Sequence, residues 1–405
     1  MIFRAKYALV APGEVRTDVR LEIDGNLITS FNTGYVPGSP AADYNFGTAV
    51  IMPGLVNAHC HLELEFCGGQ VPYNGSFMDW LQSIRDLKRE RGGTATAYPR
   101  DSIKQLLAAG CTTVVDHHAT QLDWGAMAGC GLRHVPFKEY FEFNNHQPDT
   151  DHLGSQAARG FAPHAPYTAS LEIARACREL ANRQQLPLSV HLSEIPGEIE
   201  FIRTGENEQI IQLLKHAGAY DQSFHGTGKT PIRLYADEGI LNGPTYAVHV
   251  NYLADGDLDV LADFKPTVVY CPRSHAFFHH PEHPLPHYLA AGVPVALGTD
   301  SLASNDQLSP LNEAALVRQR FPAVAPAAVM DMITGAGARP LGWDGKLGRL
   351  EPGFLADFAV FRLDGDPGCG FAELFDAAIE RSQAELTMVD GVIRHAKTGQ
   401  PVRPS

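Results

Sequence analysis

The sequence has no Cys-x-x-Cys pair, and its cysteines (Cys60, Cys67, Cys111, Cys130, Cys177, Cys271 and Cys369) are odd in number and scattered. That pattern excludes a paired-thiolate zinc motif and a disulfide framework, and fits reduced thiols in a cytoplasm. Long apolar runs are missing as well: nothing approaches the roughly 20 uninterrupted apolar residues of a membrane-spanning helix. The start, Met1-Ile2-Phe3-Arg4-Ala5-Lys6, has no signal-peptide apolar region and reads as a strand. Positive charge is short, with 32 Lys and Arg against 46 Asp and Glu and a net charge of −14. That balance argues against nucleic acid or an anionic membrane as a partner and does not itself identify the substrate. No repeat or low-complexity tract is present. The chain of 405 residues, 44% hydrophobic and 19% charged, has the makeup of a soluble globular protein with a large core. Histidine is the residue in excess, with 18 copies, many beside the ends of apolar runs.

Residues 1–48 alternate as short strands at 7–10, 19–23 and 26–31, and Asp24-Gly25-Asn26 is a hairpin signal. The tail resumes that texture at 356–361 and 385–393. A small β-sandwich domain is therefore expected from both termini, residues 1–53 and 343–405. Between them, strand-like runs ending at His59 and at 112–116, 135–140, 160–164, 188–191, 245–249, 267–271 and 293–300 alternate with helical stretches such as 102–109, 170–183 and 257–264. Eight strands alternating with helices is the count of a (β/α)8 TIM barrel, an α/β fold, over residues 54–342.

Polar residues cluster where those strands run out, and in a barrel these ends share one face. His59 and His61, two apart, point the same way on a strand. His191 ends strand five, His249 strand six and Asp300 strand eight. A histidine at one strand end is commonly a hydrogen-bonded structural residue, and Asp300 could cap the next helix. Together, imidazoles and a carboxylate from four strands suit one divalent transition metal with a position open for water. Glu194, three residues after His191, is placed to overhang the ion as a general acid/base, or else is a capping or surface residue.

These motifs resemble the amidohydrolase superfamily, in particular its cytosine deaminase-like branch of aminohydrolases. The resemblance rests on Pro53-Gly54-Leu55-Val56-Asn57-Ala58-His59-Cys60-His61, His164-Ala165-Pro166-Tyr167-Thr168, His191-Leu192-Ser193-Glu194, Cys271-Pro272-Arg273-Ser274 and Gly298-Thr299-Asp300-Ser301. The stretch from Gly348 to Asp357 is similar to that family's return into its small β-domain. The resemblance implies that His59, His61, His191 and Asp300 ligate zinc or iron(II). It also implies that His249 orients the hydrolytic water, that Asp300 takes a proton from it and that Glu194 protonates the ring nitrogen beside the attacked carbon. His164 stands where binuclear relatives carry a carboxylated lysine, so one ion is expected. Lys138 reads as structural or surface.

His164 has the place of a substrate hydrogen-bonding residue, or of a structural histidine near the ligands. Phe77 and Trp80 either line a pocket for a flat heterocycle or form the core face of a helix. Arg273 and Ser274 are expected beside the ring, and the loop-like run from His275 to Pro284 as a substrate-facing lid with His275 near the site. The branch commonly has asparagine where this chain has His275. The resemblance implies deamination of an adenine-bearing metabolite such as aminodeoxyfutalosine or another 5′-substituted adenosine, in a protein that could dimerise. Alternatives are a guanine or other heterocycle deaminase, a triazine chlorohydrolase, and a catalytically silent metal-binding scaffold.

Overall fold

The computed structural model describes residues 1–34, 40–119, 124–141, 160–381 and 383–397. The first five strands lie in sequence order: β1 (Ile2–Ala11), β2 (Glu14–Asp24), β3 (Leu27–Thr33), β4 (Tyr44–Asn45) and β5 (Ala49–Pro53). β1, β2 and β3 form an antiparallel meander, while β4 and β5 pair parallel to successive stretches of β1. The chain then makes eight parallel strands: β6 (Leu55–Cys60), β7 (Cys111–His118), β8 (Arg133–Tyr140), β9 (Gly160–Pro163), β10 (Leu188–Leu192), β11 (Thr245–His249), β12 (Thr267–Tyr270) and β13 (Val295–Leu297). It returns through β14 (Phe358–Arg362), β15 (Leu386–Val389) and β16 (Val392–Ala396), which join the first sheet where β14 pairs with β5. The (β/α)8 barrel is present, beside a separate mixed sheet drawn from both termini.

The apolar runs chosen as strands are continuous because a parallel strand in a barrel is covered on both faces. Every residue of β6, β7, β10, β11, β12 and β13 is buried. Val115, Phe137, Tyr246, Val248 and Val269 meet inside the barrel. The Tyr246 hydroxyl donates to the carbonyl of Gly337, which satisfies the one polar atom that ring carries inward. The terminal sheet has its own cluster, in which the Phe3 ring meets the Phe358 ring edge-on at 5.0 Å.

The barrel closes through few bonds, and they fall at the functional end. The Thr299 amide donates to the carbonyl of His59 at 3.0 Å, and Cys60 and Asp300 form an isolated parallel bridge. Buried Asn57 donates to the Thr299 hydroxyl at 2.7 Å and accepts from the Thr299 amide at 3.1 Å. The first and last strands are thereby tied where His59 and Asp300 leave them.

Candidate metal and catalytic site

The eight strand ends surround a cavity of about 450 Å³ lined by His61, Glu63, Glu139, His164, His191, Glu194, His249 and Asp300, among others. The carboxylate Oδ1 of Asp300 lies 3.7 Å from His59 Nε2 and 3.8 Å from His61 Nε2. One donor atom each from His59, His61 and Asp300 lies within 4.8 Å of the others, and the same holds for His59, His191 and His249, and for His61, Glu139 and His191. Overlap on His59, His61 and His191 makes these one centre.

Two observations fit the donors to a cation. His59 Nε2 is completely buried and has no hydrogen-bond partner, which is a costly state for an imidazole nitrogen unless something else takes its lone pair. The opposite nitrogen is engaged: His59 Nδ1 lies 3.0 Å from His117 Nδ1, and His117 Nε2 lies 2.7 Å from the Ser189 hydroxyl. With His59 Nδ1 donating to His117 Nδ1 and His117 Nε2 donating to the Ser189 hydroxyl, all three groups are satisfied and His59 Nε2 is left unprotonated, as a ligand requires. His191 Nδ1 similarly faces the carbonyl of His164 at 3.1 Å, which points its other nitrogen inward. Burial first, and then the neighbouring imidazoles, hold His59 and His191 well below the ordinary histidine range, so both are neutral donors.

Asp300 is held by its second oxygen. Oδ2 accepts from the Ser274 hydroxyl at 2.7 Å and the Ser304 hydroxyl at 2.8 Å, leaving Oδ1 toward the histidines. The backbone is forced here: Asp300, His249, Val250 and Ser193 all adopt left-handed φ, at 57°, 69°, 46° and 49°. Such conformations cost roughly 1–3 kcal/mol each and concentrate where structure serves a site. They let β10, β11 and β13 turn sharply, while the amides of Val250 and Asn251 donate to the carbonyls of Leu192 and Ser193.

Glu194 stands beside this centre. Its Oε1 lies 3.5 Å from His249 Nε2, and it lines the cavity. Burial, then the charges of Asp300 and Glu198, push its carboxyl well above the usual carboxylate range, which favours its protonated form. Burial above all brings His249 down to about 4, leaving it neutral. The position of Glu194 is set by Glu198, whose carboxylate accepts from the amides of Ser193 and Glu194 at 2.9 and 3.1 Å, and by Asn251, whose side-chain amide donates to the Glu194 carbonyl.

The remaining expected site residues divide. His164 lines the cavity, with Nδ1 2.7 Å from the Thr168 hydroxyl, and burial brings it down to about 3. Trp80 lines it too, while its indole N–H donates to the carbonyl of Ala303 at 3.0 Å and its ring packs on Phe77 and Phe278. Arg273, Ser274 and His275 are not among the cavity-lining residues. Arg273 reaches outward to Asn305 and Asp306. His275 is buried against Tyr270 and His283, with ring centroids 5.5 and 5.6 Å away. Ser274 acts on the site through Asp300. The physical reason is local: Pro272 opens a helix, Pro272–Phe277, which takes in the first three residues of the run expected as a loop from His275 on. Successive side chains on a helix diverge by about 100°, so one of the three faces Asp300 and the other two cannot. Lys138 is half-buried over the Tyr140 ring, 5.1 Å from its centroid.

Three site residues escaped the sequence reading: His117 on β7, Glu139 on β8 and Glu63 after β6. The same strand-end criterion, applied to Asp116-His117-His118 and Lys138-Glu139-Tyr140, singles out the first two. Glu139 lies 3.8 Å from both His61 and His191, and burial above all raises it to about 7.

The Amidohydrolase family model matches residues 50–394. The chain belongs to the amidohydrolase family. This amidohydrolase is 31% identical over 383 residues to the 5-methylthioadenosine/S-adenosylhomocysteine deaminase of Nitratidesulfovibrio vulgaris, covering 88% of this chain and 82% of that one. It is 30% identical over 317 residues to the aminodeoxyfutalosine deaminase of Deinococcus radiodurans, covering 73% and 74%. A zinc-bound adenosine deaminase from Xanthomonas campestris shares the fold, with a TM-score of 0.80 at 21% identity over 100% of this chain and 94% of that one.

One prediction arises from the closing strand. A Cβ at Gly298 would stand 2.7 Å from the His59 Cβ and 3.0 Å from the Cys271 sulfur. Gly298→Ala is expected to displace His59 and cost about 1–3 kcal/mol, as overpacking does. Thermal denaturation should show the lowered stability and metal analysis the lowered occupancy; an unchanged melting temperature would mean that β13 yields easily there.

Proposed function

We propose that this amidohydrolase removes ammonia hydrolytically from the adenine ring of a 5′-substituted adenosine, aminodeoxyfutalosine being one such substrate. The observation that carries the reading is a buried Glu194, its carboxyl pushed well above the usual carboxylate range, set beside the His59, His61, His191 and Asp300 cluster in a cavity of about 450 Å³. The deaminase names of the two sequence relatives support it.

His59, His61, His191 and Asp300 would hold one divalent ion; zinc is favoured over iron(II), supported by the zinc of the structural neighbour. Bound there, the ion would supply a hydrolytic water whose pKa falls from 15.7 toward about 7. His249, neutral at physiological pH, orients that water with its Nε2. Asp300 accepts a proton on Oδ1 while two serine hydroxyls hold its other oxygen. Glu194 gives its proton to the ring nitrogen beside the amine-bearing carbon as water, its proton passed to Asp300, adds to that carbon; the proton on Asp300 then goes to the amine, which leaves as ammonia, while the added hydroxyl returns its proton to Glu194 and becomes the oxo group. Trp80 and His164, which both line the cavity, would contact the purine.

The test is turnover. Purified protein incubated with adenosine, 5′-substituted adenosines, guanine and a chlorotriazine should release ammonia from an adenosine derivative and shift the purine absorbance. Chloride release from the triazine alone would reassign the reaction, and no product from any of them would remove it.

A further inference from the structure

The histidine-rich run from His275 to His287 lines no part of the cavity. One of its members reaches the site from behind. Past Val248, β11 has no further pairing with β12, and the chain turns through His249 and Val250 with left-handed φ of 69° and 46°. Neither residue is glycine, so contacts must hold this conformation. Two buried side chains supply them. His283 Nε2 lies 3.1 Å from the His249 carbonyl, and the Tyr288 hydroxyl donates to the Val250 carbonyl at 2.7 Å. A carbonyl only accepts, so the His283 proton sits on Nε2. Burial brings this ring down to about 3, which keeps it neutral. It lies flat on Tyr270 of β12, with ring centroids 3.8 Å apart.

The same turn carries two groups of the site. His249 is its first residue. Asn251, two residues on, donates from its backbone to the Ser193 carbonyl at 3.0 Å and from its side chain to the Glu194 carbonyl at 3.1 Å. A rotation of the turn swings the His249 ring directly and Glu194 only through Asn251, so the 3.5 Å between them changes.

We propose that His283 is a positioning residue for the reaction, its Nε2–H holding the His249 carbonyl and so fixing the water-orienting imidazole against Glu194. The inference rests on the proposed deamination and names a residue that acts on it through His249. The bond from Tyr288 to Val250 stays in place when His283 is changed, and it keeps the turn folded.

The test crosses two substitutions. His283→Phe keeps a ring on Tyr270 and loses the donor. His283→Gln loses the ring and keeps an N–H donor the same number of bonds from the backbone. His283→Phe should lower kcat about 10–100-fold, as a small misplacement of reacting groups does, with KM within about threefold and metal content at the wild-type level. His283→Gln should keep kcat within about fivefold even where it melts lower. Should His283→Phe fail to fold, His283→Met fills the space without a donor and takes its place. Wild-type kcat in the donor-free variant, or kcat values that follow melting temperature across the pair, overturns the inference. If the wild type deaminates nothing, the deaminase reading falls and crystal structures decide the positioning role. The separation of Glu194 Oε1 and His249 Nε2 must then widen by about 1 Å or more in the donor-free variant and hold in His283→Gln. An unchanged separation in the donor-free variant overturns it.

Discussion

Replacing Glu194 with Gln is expected to lower kcat by about 10²–10⁴ while leaving metal content at the wild-type level. The carboxyl lies 3.5 Å from His249, and burial and two neighbouring acids raise it toward its protonated form. Glutamine keeps the volume and can still accept hydrogen bonds, but it has no acidic proton to give a ring nitrogen. The backbone is held independently by Glu198 and Asn251, so the substitution leaves the segment in place. Stopped-time ammonia assays beside metal analysis of the same preparation separate the two effects. Retained turnover would move the proton transfer to another group, with Glu139 the next acid in the cavity.

His59→Ala should have the complementary signature, losing metal and activity together. Its Nε2 is the buried atom that no protein group satisfies, and its Nδ1 engages His117. Truncation therefore removes a ligand and also leaves the His117 nitrogen unpaired, a cost of about 1–3 kcal/mol. Wild-type protein stripped with a chelator should regain stability on adding zinc, by about 2.7 kcal/mol at a concentration 100 times the dissociation constant. The variant should gain little. Equal zinc stabilisation of both proteins would exclude His59 as a ligand.

The parts of this molecule that were legible in the sequence are those governed by a simple period. Parallel barrel strands are buried on both faces, so they stand out as short apolar runs, and a polar residue at the end of such a run is conspicuous. His59, His191, His249 and Asp300 were found in that way, and the structure draws them together. His117 and Glu139 obey the same rule but belong to strands whose ends bear several polar residues in a row, so no single one stood out. What failed was inference from proximity in sequence. Arg273 and His275 adjoin Ser274, yet the helix begun by Pro272 sends them to Asp306 and to the Tyr270 ring. The strained turns at His249, Val250 and Asp300 left no mark in the residue types, since none is glycine.

The proposed chemistry needs a single cation held between the first, fifth and eighth barrel strands. Elemental analysis of protein expressed with ample zinc and iron, repeated on His59→Ala, tests that most directly. The predicted result is about one zinc or iron per wild-type chain and a small fraction of that in the variant. A wild-type protein that is folded, reproducibly free of both metals and unaffected by adding them would contradict it.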